Sequence, residues 1–421
     1  MCKETTSPLA SPPFKEKVCI VGSGNWGSAI SIVVGNNCKR LNYCKSTVSM
    51  WVFEEDVTLE NGETEKLSKV INTQHENIKY LKGIQLPDNV VAVPDLEAAC
   101  KDATLLIFVL PHQFLPPLLK TIRNVVDPSC RGVSLIKGMD FDATTKSPVL
   151  ISQVIEASMN SESSMTENFT CGVLMGANVA NEVAQGQICE STLASNFKDV
   201  GGVNMNEQTR QIFDSPSLRV QHVHDVAGAE ACGALKNVIA LGAGFIDGLD
   251  DLGSNTKAAL MRVGLSEMIK FCKIFFEDVN DQTFLESCGM ADLITTCYGG
   301  RNRKCAEAYV RSRVKDAETG SNHDRWGKKQ CEDLWSKIET DLLNGQKLQG
   351  TLACKEAHMV LSSRNLLGEF PLINAIHEVS FEGAHVEQIV DGIMVAGPIT
   401  KKARTVAYND NNNNNNKRVR E

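Results

Sequence analysis

Val18-Cys19-Ile20-Val21-Gly22-Ser23-Gly24-Asn25-Trp26-Gly27-Ser28-Ala29-Ile30 decides the fold class. Four apolar residues make a short buried strand, a glycine-rich turn follows at once, and small and branched apolar residues then open a helix. The glycines stand as G-x-G-x-x-G between strand and helix, the setting in which that spacing binds a dinucleotide. Gly22 allows the tight turn, Gly24 lets the backbone approach a pyrophosphate, and Gly27 lets the helix pack against the strand. The helix N-terminus offers unpaired N–H groups and a positive dipole end to the phosphates.

Working outward, strand-like runs recur at Thr47–Phe53, Val90–Val93, Leu105–Leu110, Gly132–Ile136, Gly172–Met175 and Arg219–Val223. Helical stretches such as Pro117–Val125 and Asn206–Asp214 fall between them. The alternation predicts an α/β doubly wound parallel sheet. The pattern changes near Asp225, beyond which long apolar-periodic helices are expected at Val226–Ala243, Asn255–Phe275 and Leu334–Leu343. The predicted organisation is a disordered tail over 1–16, a dinucleotide-binding domain over 17–224, an all-α domain over 225–403 and a disordered Asn-rich tail over 404–421. The polar stretch 314–333 reads as a surface loop or insertion.

Composition excludes several function classes. The chain has 421 residues, 42% of them hydrophobic, and a net charge of −8. An acidic chain of this kind does not bind nucleic acid through a basic face. Fifteen cysteines occur, none of them spaced as C-x-x-C, so buried thiols in a reducing compartment are expected rather than disulfides or zinc. Residues 1–16 are polar and Pro-rich without an apolar core of a signal peptide, and no run of ~18 uncharged apolar residues reads as a membrane span. The expected location is the cytosol. No His/Cys/Asp cluster has metal-ligand spacing, so no metal site is expected. His222 and His224, two apart, are read as pointing to opposite sides of a strand.

The candidate chemistry gathers at strand ends and on helices. The second strand runs into Phe53-Glu54-Glu55, where an acidic residue accepts the ribose 2′-OH of NAD. No Lys or Arg adjoins that strand end in sequence, which favours NAD over NADP. Lys137 and Asn178 each follow a strand, the position where ligands bind in open α/β sheets. His112 also follows a strand. Lys236 lies in Cys232-Gly-Ala-Leu-Lys236-Asn237-Val-Ile-Ala240. A lysine buried on such a helix loses hydration, its pKa falls, and it becomes a general acid for neutral pH. Asp292 and Thr296 are one helical turn apart. Arg301 and Asn302 follow Gly299-Gly300 and are suited to fork onto a phosphate. Gly345-Gln-Lys347-Leu-Gln349-Gly350 again sets polar groups between glycines. Together these imply an anion site.

With these motifs assembled, the chain closely resembles the cytosolic NAD-dependent glycerol-3-phosphate dehydrogenases of the eukaryotic type. The resemblance rests on runs such as VCIVGSGNWGSAI, MWVFEED, INTQHENIKYL, IFVLPHQF, CGALKNVIALGAGFIDGL, TFLESCGMADLITTCYGGRNRK and LLNGQKLQG. It implies an N-terminal Rossmann-type doubly wound sheet, an all-α substrate domain and a homodimer. It implies reversible hydride transfer between NADH and dihydroxyacetone phosphate, giving sn-glycerol 3-phosphate. It gives Lys236 the role of general acid/base, places Lys137, Asn178, Asp292 and Thr296 in the same site, and puts the phosphate on Arg301 and Asn302. For NAD it points to Gly22, Ser23, Gly24, Asn25, Trp26, Gly27, Phe53, Phe114, Ala180, Arg301, Lys347 and Gln349. Departures lie elsewhere: Asp250-Asp251, the stretch 314–333 and the Asn-rich tail. Two rivals are a two-domain dehydrogenase acting on a sugar acid such as 6-phosphogluconate, and a non-catalytic NAD-sensing protein. The runs around Arg301 and Lys347 argue against the first, and the presence of every motif lysine and arginine argues against the second.

Overall fold

All four residues of β1 (Val18–Val21) are buried. Val18 and Ile20 enter one apolar core, while Cys19 and Val21 enter the core on the opposite face. A strand covered on both faces carries apolar residues at every position, which is why it reads as a continuous run. The computed structural model describes residues 15–395 apart from 143, 162, 163, 165, 167, 319–325 and 344.

Seven more strands join β1 in one sheet: β2 (Val48–Trp51), β3 (Val90–Val93), β4 (Leu105–Phe108), β5 (Arg131–Ser134), β6 (Cys171–Met175), β7 (Cys189–Ala194) and β8 (Leu218–Val223). Their order is β8-β7-β6-β5-β4-β1-β2-β3. All neighbouring pairs are parallel except β6 with β7. The stretch β3-β2-β1-β4-β5-β6 is the doubly wound order, whose ligand crevice lies where the winding reverses, between β1 and β4. Gly22 follows β1 at that point. Helices α1 (Asn25–Arg40), α2 (Leu67–Gln74), α3 (Leu96–Cys100), α4 (Leu115–Ile122), α5 (Ile151–Met159), α6 (Ala180–Ala184) and α7 (Met205–Phe213) complete this unit.

β7 is absent from the expected strands. Its sequence, Cys-Glu-Ser-Thr-Leu-Ala, buries Ser191 and Thr192, polar residues that conceal a core strand. The unit also begins earlier than residue 17. Glu16 is fully buried, and its carboxylate accepts from the Arg131 guanidinium (2.8 Å) and the Thr104 hydroxyl (2.6 Å). Removing one partner of such a pair costs about 3–5 kcal/mol, because the other is left charged and buried. The remaining tail residues, 1–14, and the Asn-rich tail lie outside the described residues.

The helical unit holds α8 (Val226–Asp247), α9 (Ser254–Phe275), α10 (Asp292–Gly299), α11 (Arg301–Glu318), α12 (Lys328–Leu343), α13 (Gln349–Ser363), α14 (Pro371–His377) and α15 (Ile389–Met394). They pack on a single apolar core. By length and composition α8 is apolar enough to cross a membrane, but it is wholly buried as the core helix of this unit.

A single boundary near 225 does not describe the chain. Residues 137–150 leave the sheet unit and belong to the helical one. They form a hairpin, Met139–Asp142 against Ser147–Leu150, whose Met139 and Leu150 are buried in the helical core. Arg364, just past α13, grips the turn through Thr145 O (2.9 Å), Lys146 O (3.1 Å) and Ser147 Oγ (2.8 Å). The stretch 314–333 is also not simply a loop. α11 runs through its first residues and α12 occupies its last. Between them Trp326 packs against the core beneath the Arg313 guanidinium, 5.2 Å from its ring centroid. Arg313, just before the stretch, is itself buried and donates to Val379 O (3.0 Å) and Ala384 O (2.9 Å). Within the stretch Trp326 and Cys331 turn to the core, while Lys328, Lys329 and Gln330 are exposed.

Candidate active site

The glycine turn has the shape its spacing implies. Gly22 has φ +122°, and a Cβ there would lie 2.3 Å from Val109 O. A Cβ on Gly27 would lie 2.1 Å from Gly22 O. At Gly24 a Cβ meets nothing within 4 Å. The loop is therefore closed against β4 and α1 and open at the helix N-terminus, where the N-cap residue is Gly24 itself and contributes no side-chain cap. That leaves first-turn N–H groups for an anion.

Neighbouring side chains hold this turn in place. Ser23 O accepts from Ser28 Oγ (3.1 Å) and from buried Asn77 Nδ2 (2.8 Å). Asn25 Nδ2 donates to Tyr80 O (2.8 Å) and Asn181 Oδ1 (2.9 Å), tying α1 to α6, whose first residue is Ala180. The Trp26 indole N–H is buried without a hydrogen-bond partner among the described residues. Phe53, beyond β2, and Phe114, the last residue of the turn that His112 opens after β4, are 69% and 56% exposed. Asn178, after β6, is buried and donates to Ser191 Oγ (2.8 Å).

Glu54 sits at the end of β2 as expected, with its carboxylate accepting from Ser68 N (3.2 Å) and Ser68 Oγ (2.6 Å) at the start of α2. Glu55 pairs with Lys79 and accepts from Tyr80 Oη (2.7 Å). A cation therefore adjoins this strand end in space, although none adjoins it in sequence. His222 and His224 also correct the sequence reading. Their rings lie 4.8 Å apart, edge to face. Residues i and i+2 of a strand share a side, because the side-chain period is two.

In the helical unit the candidate residues converge on Asp292. Lys236 is 4% exposed. Its ammonium pairs with Asp292 Oδ1 and donates to Thr296 Oγ1 (2.8 Å). Lys137, which opens the 137–150 segment, reaches Asp292 Oδ2 at 3.1 Å. Asp292 and Thr296 occupy successive turns of α10, so both face α8. Burial lowers the Lys236 pKa and the Lys137 charge lowers it further; Asp292 opposes them, and the balance leaves it at about 7.

A second group lies beside it. Asn302 is buried, donates from Nδ2 to Asn237 Oδ1 (2.9 Å), and accepts at Oδ1 from Gly350 N (2.9 Å). A Cβ on Gly350 would lie 2.7 Å from Asn302 Oδ1, so only glycine permits that approach. Arg301, the exposed first residue of α11, donates to Gln346 Oε1 (3.1 Å). Lys347 is paired with buried Glu339 (2.7 Å), which also accepts from Leu348 N (3.1 Å) just before Gln349. Sequence reasoning overlooks Asn237 and Glu339. Asn237 carried a signal, being the residue next to Lys236. Glu339 carried none, since an acidic residue on an amphipathic helix is ordinarily solvated.

Residues 17–200 match the family described as the NAD-dependent glycerol-3-phosphate dehydrogenase N-terminus, and residues 225–391 match its C-terminus. The chain belongs to the NAD-dependent glycerol-3-phosphate dehydrogenase family. It is 46% identical to the cytoplasmic glycerol-3-phosphate dehydrogenase [NAD(+)] of Bos taurus over 376 residues, covering 89% of this chain and 96% of that one. It is likewise 46% identical to a glycerol-3-phosphate dehydrogenase 1-like protein of Xenopus tropicalis, covering 89% and 95%. Among solved structures it is similar to the glycerol-3-phosphate dehydrogenase of Saccharomyces cerevisiae, with a TM-score of 0.77, 39% identity and coverage of 90% and 99%. The Plasmodium falciparum enzyme gives a TM-score of 0.77 at 36% identity, covering 90% and 96%.

For a member of this dehydrogenase family the Gly22–Gly27 turn fits the cofactor: the turn is closed where packing requires and open at Gly24, where a pyrophosphate would approach. The Cβ of Gly24→Val meets nothing within 4 Å. The variant is expected to stay folded, with a modestly lower melting temperature from the weaker N-cap, and to weaken NADH binding on the order of 10–100-fold, the worth of a charge-assisted hydrogen bond. Calorimetric titration with NADH checks this, and unaltered affinity would contradict it.

Proposed function

We propose that the chain catalyses reversible hydride transfer between NADH and dihydroxyacetone phosphate, giving sn-glycerol 3-phosphate, with Lys236 as general acid/base. The observation that carries this reading is a lysine 4% exposed and poised near neutral pH, held by Asp292 and Thr296.

In the reductive direction the Lys236 ammonium gives its proton to the oxygen of the ketone. In the oxidative direction the neutral amine takes the hydroxyl proton back. Asp292 orients the ammonium, and the Thr296 hydroxyl fixes the second donor direction. Lys137 brings a second positive charge to the same carboxylate, which favours the oxyanion character that grows at the substrate oxygen. Arg301 and the free N–H of the Asn302 amide take the substrate phosphate. We assign Asn178 to the substrate's surroundings. NADH, when bound, supplies the hydride. On the sheet unit we assign the cofactor to Gly22, Ser23, Gly24, Asn25, Trp26, Gly27, Phe53, Phe114 and Ala180, with Glu54 accepting from a ribose hydroxyl. Arg301, Lys347 and Gln349 are further cofactor assignments, and Lys347 would leave Glu339 to serve.

We also assign a homodimer and a cytoplasmic location. Relatives from Bos taurus and Rattus norvegicus named as cytoplasmic support the latter. The test of activity is NADH oxidation on adding dihydroxyacetone phosphate. Turnover with this substrate, and no reduction of NAD⁺ when 6-phosphogluconate is supplied instead, is expected. The reverse would overturn the reading.

A further inference from the structure

We propose that Glu55 sets the preference for NADH over NADPH by neutralising Lys79 at the carboxyl end of β2. The inference rests on the reading above that the cofactor's adenosine ribose lies at that strand end. An NADP site needs a cation there for the 2′-phosphate. The sequence around Phe53-Glu54-Glu55 offers none, but the fold does. Lys79 comes from the segment after α2, and its side chain is 38% exposed. Its ammonium is bound to Glu55, whose other carboxylate oxygen accepts from Tyr80 Oη (2.7 Å).

Glu54 is fixed separately by Ser68. Two carboxylates and one ammonium therefore meet at the strand end, a net charge of −1. The cations farther along are matched as well: Lys66 with Asp56 (2.7 Å) and Lys82 with Glu60 (3.5 Å). A ribose hydroxyl donates to a carboxylate in such a place, whereas a 2′-phosphate is repelled. The repulsion does not come from the lack of a cation but from Glu55 occupying the one at hand. Neutralising Glu55 releases Lys79 to the phosphate.

The experiment is calorimetric measurement of Kd for NADH and NADPH on the wild type, Glu55→Gln and Glu55→Gln/Lys79→Met. Wild type is expected to bind NADH more tightly. Glu55→Gln should shift the Kd ratio toward NADPH by about tenfold, the scale of one partly screened surface charge acting on a dianion. Adding Lys79→Met should remove that shift. A merely structural role for Glu55 moves both Kd values together and leaves the ratio unchanged, which would overturn the proposal. So would a shift that persists without Lys79. Equal affinity of the wild type for both cofactors would instead overturn the underlying reading of the strand end.

Discussion

Lys236→Ala is expected to lower kcat by at least ~10²-fold, the usual contribution of a positioned general acid/base, in a protein that remains folded. Lys236 is the described candidate whose burial and partners suit it to proton transfer near neutral pH. An alanine leaves Asp292 and Thr296 in place, but neither carries a transferable proton of the right acidity: one is a carboxylate, the other an aliphatic alcohol. Lys137 still contacts Asp292, so the carboxylate keeps one counter-charge and the site does not lose its electrostatic balance outright. Lys236→Arg should not restore the rate, because a guanidinium does not give up its proton in this pH range. Steady-state kinetics in both directions, with circular dichroism melting as the folding control, decides this. Near-normal kcat in folded Lys236→Ala would remove the lysine from the chemical step.

Removing the substrate's phosphate should cost as much or more. Dihydroxyacetone is expected to show kcat/KM on the order of 10³-fold below that of its phosphate, from the loss of charge-assisted hydrogen bonds of ~1.5–3 kcal/mol each. The geometry says why part of this falls on kcat. Asn302 is bonded to Asn237, the residue that follows Lys236 on α8, and to the backbone of Gly350. The spacing between the proposed phosphate anchor and the proposed proton donor is thereby fixed within one packed unit. Binding energy from the phosphate can be used to align the ketone with Lys236, and truncated substrates then lose rate as well as affinity. Arg301 is exposed and, among the described residues, hydrogen-bonded to Gln346, so Arg301→Ala should act chiefly by raising KM. Comparable kcat/KM for the two substrates would contradict the anchor.

The glycine turn, the winding of the sheet and the change to helices near 225 were legible because each follows from a local pattern: glycine spacing, continuous apolar strands, helical periodicity. Lys236 was conspicuous as the one lysine in an otherwise apolar helical run. What escaped depends on contacts between distant segments. β7 hides its burial behind Ser191 and Thr192. The hairpin 139–150 falls inside the expected dinucleotide-binding domain, since nothing local says that Met139 and Leu150 pack among helices. Glu16 looks like tail until Arg131 is seen to reach it. The strand end at Glu54-Glu55 looked free of cations until the fold delivered Lys79. His222 and His224 are a different case: the strand's period of two, correctly applied, puts them on one side.

The most direct test of the central claim, that Lys236 carries the proton, is the pH dependence of kcat/KM measured in both directions. Reduction of dihydroxyacetone phosphate needs the ammonium and should fall as pH rises through about 7. Oxidation of glycerol 3-phosphate needs the neutral amine and should fall as pH drops through about 7. The substrates' own phosphate ionises near about 6 and acts in the same sense on both, so it does not mimic this pair of profiles. Opposite slopes sharing an inflection near neutrality are the predicted result. Profiles of the same sign, or the same inflections persisting in Lys236→Met, would contradict it.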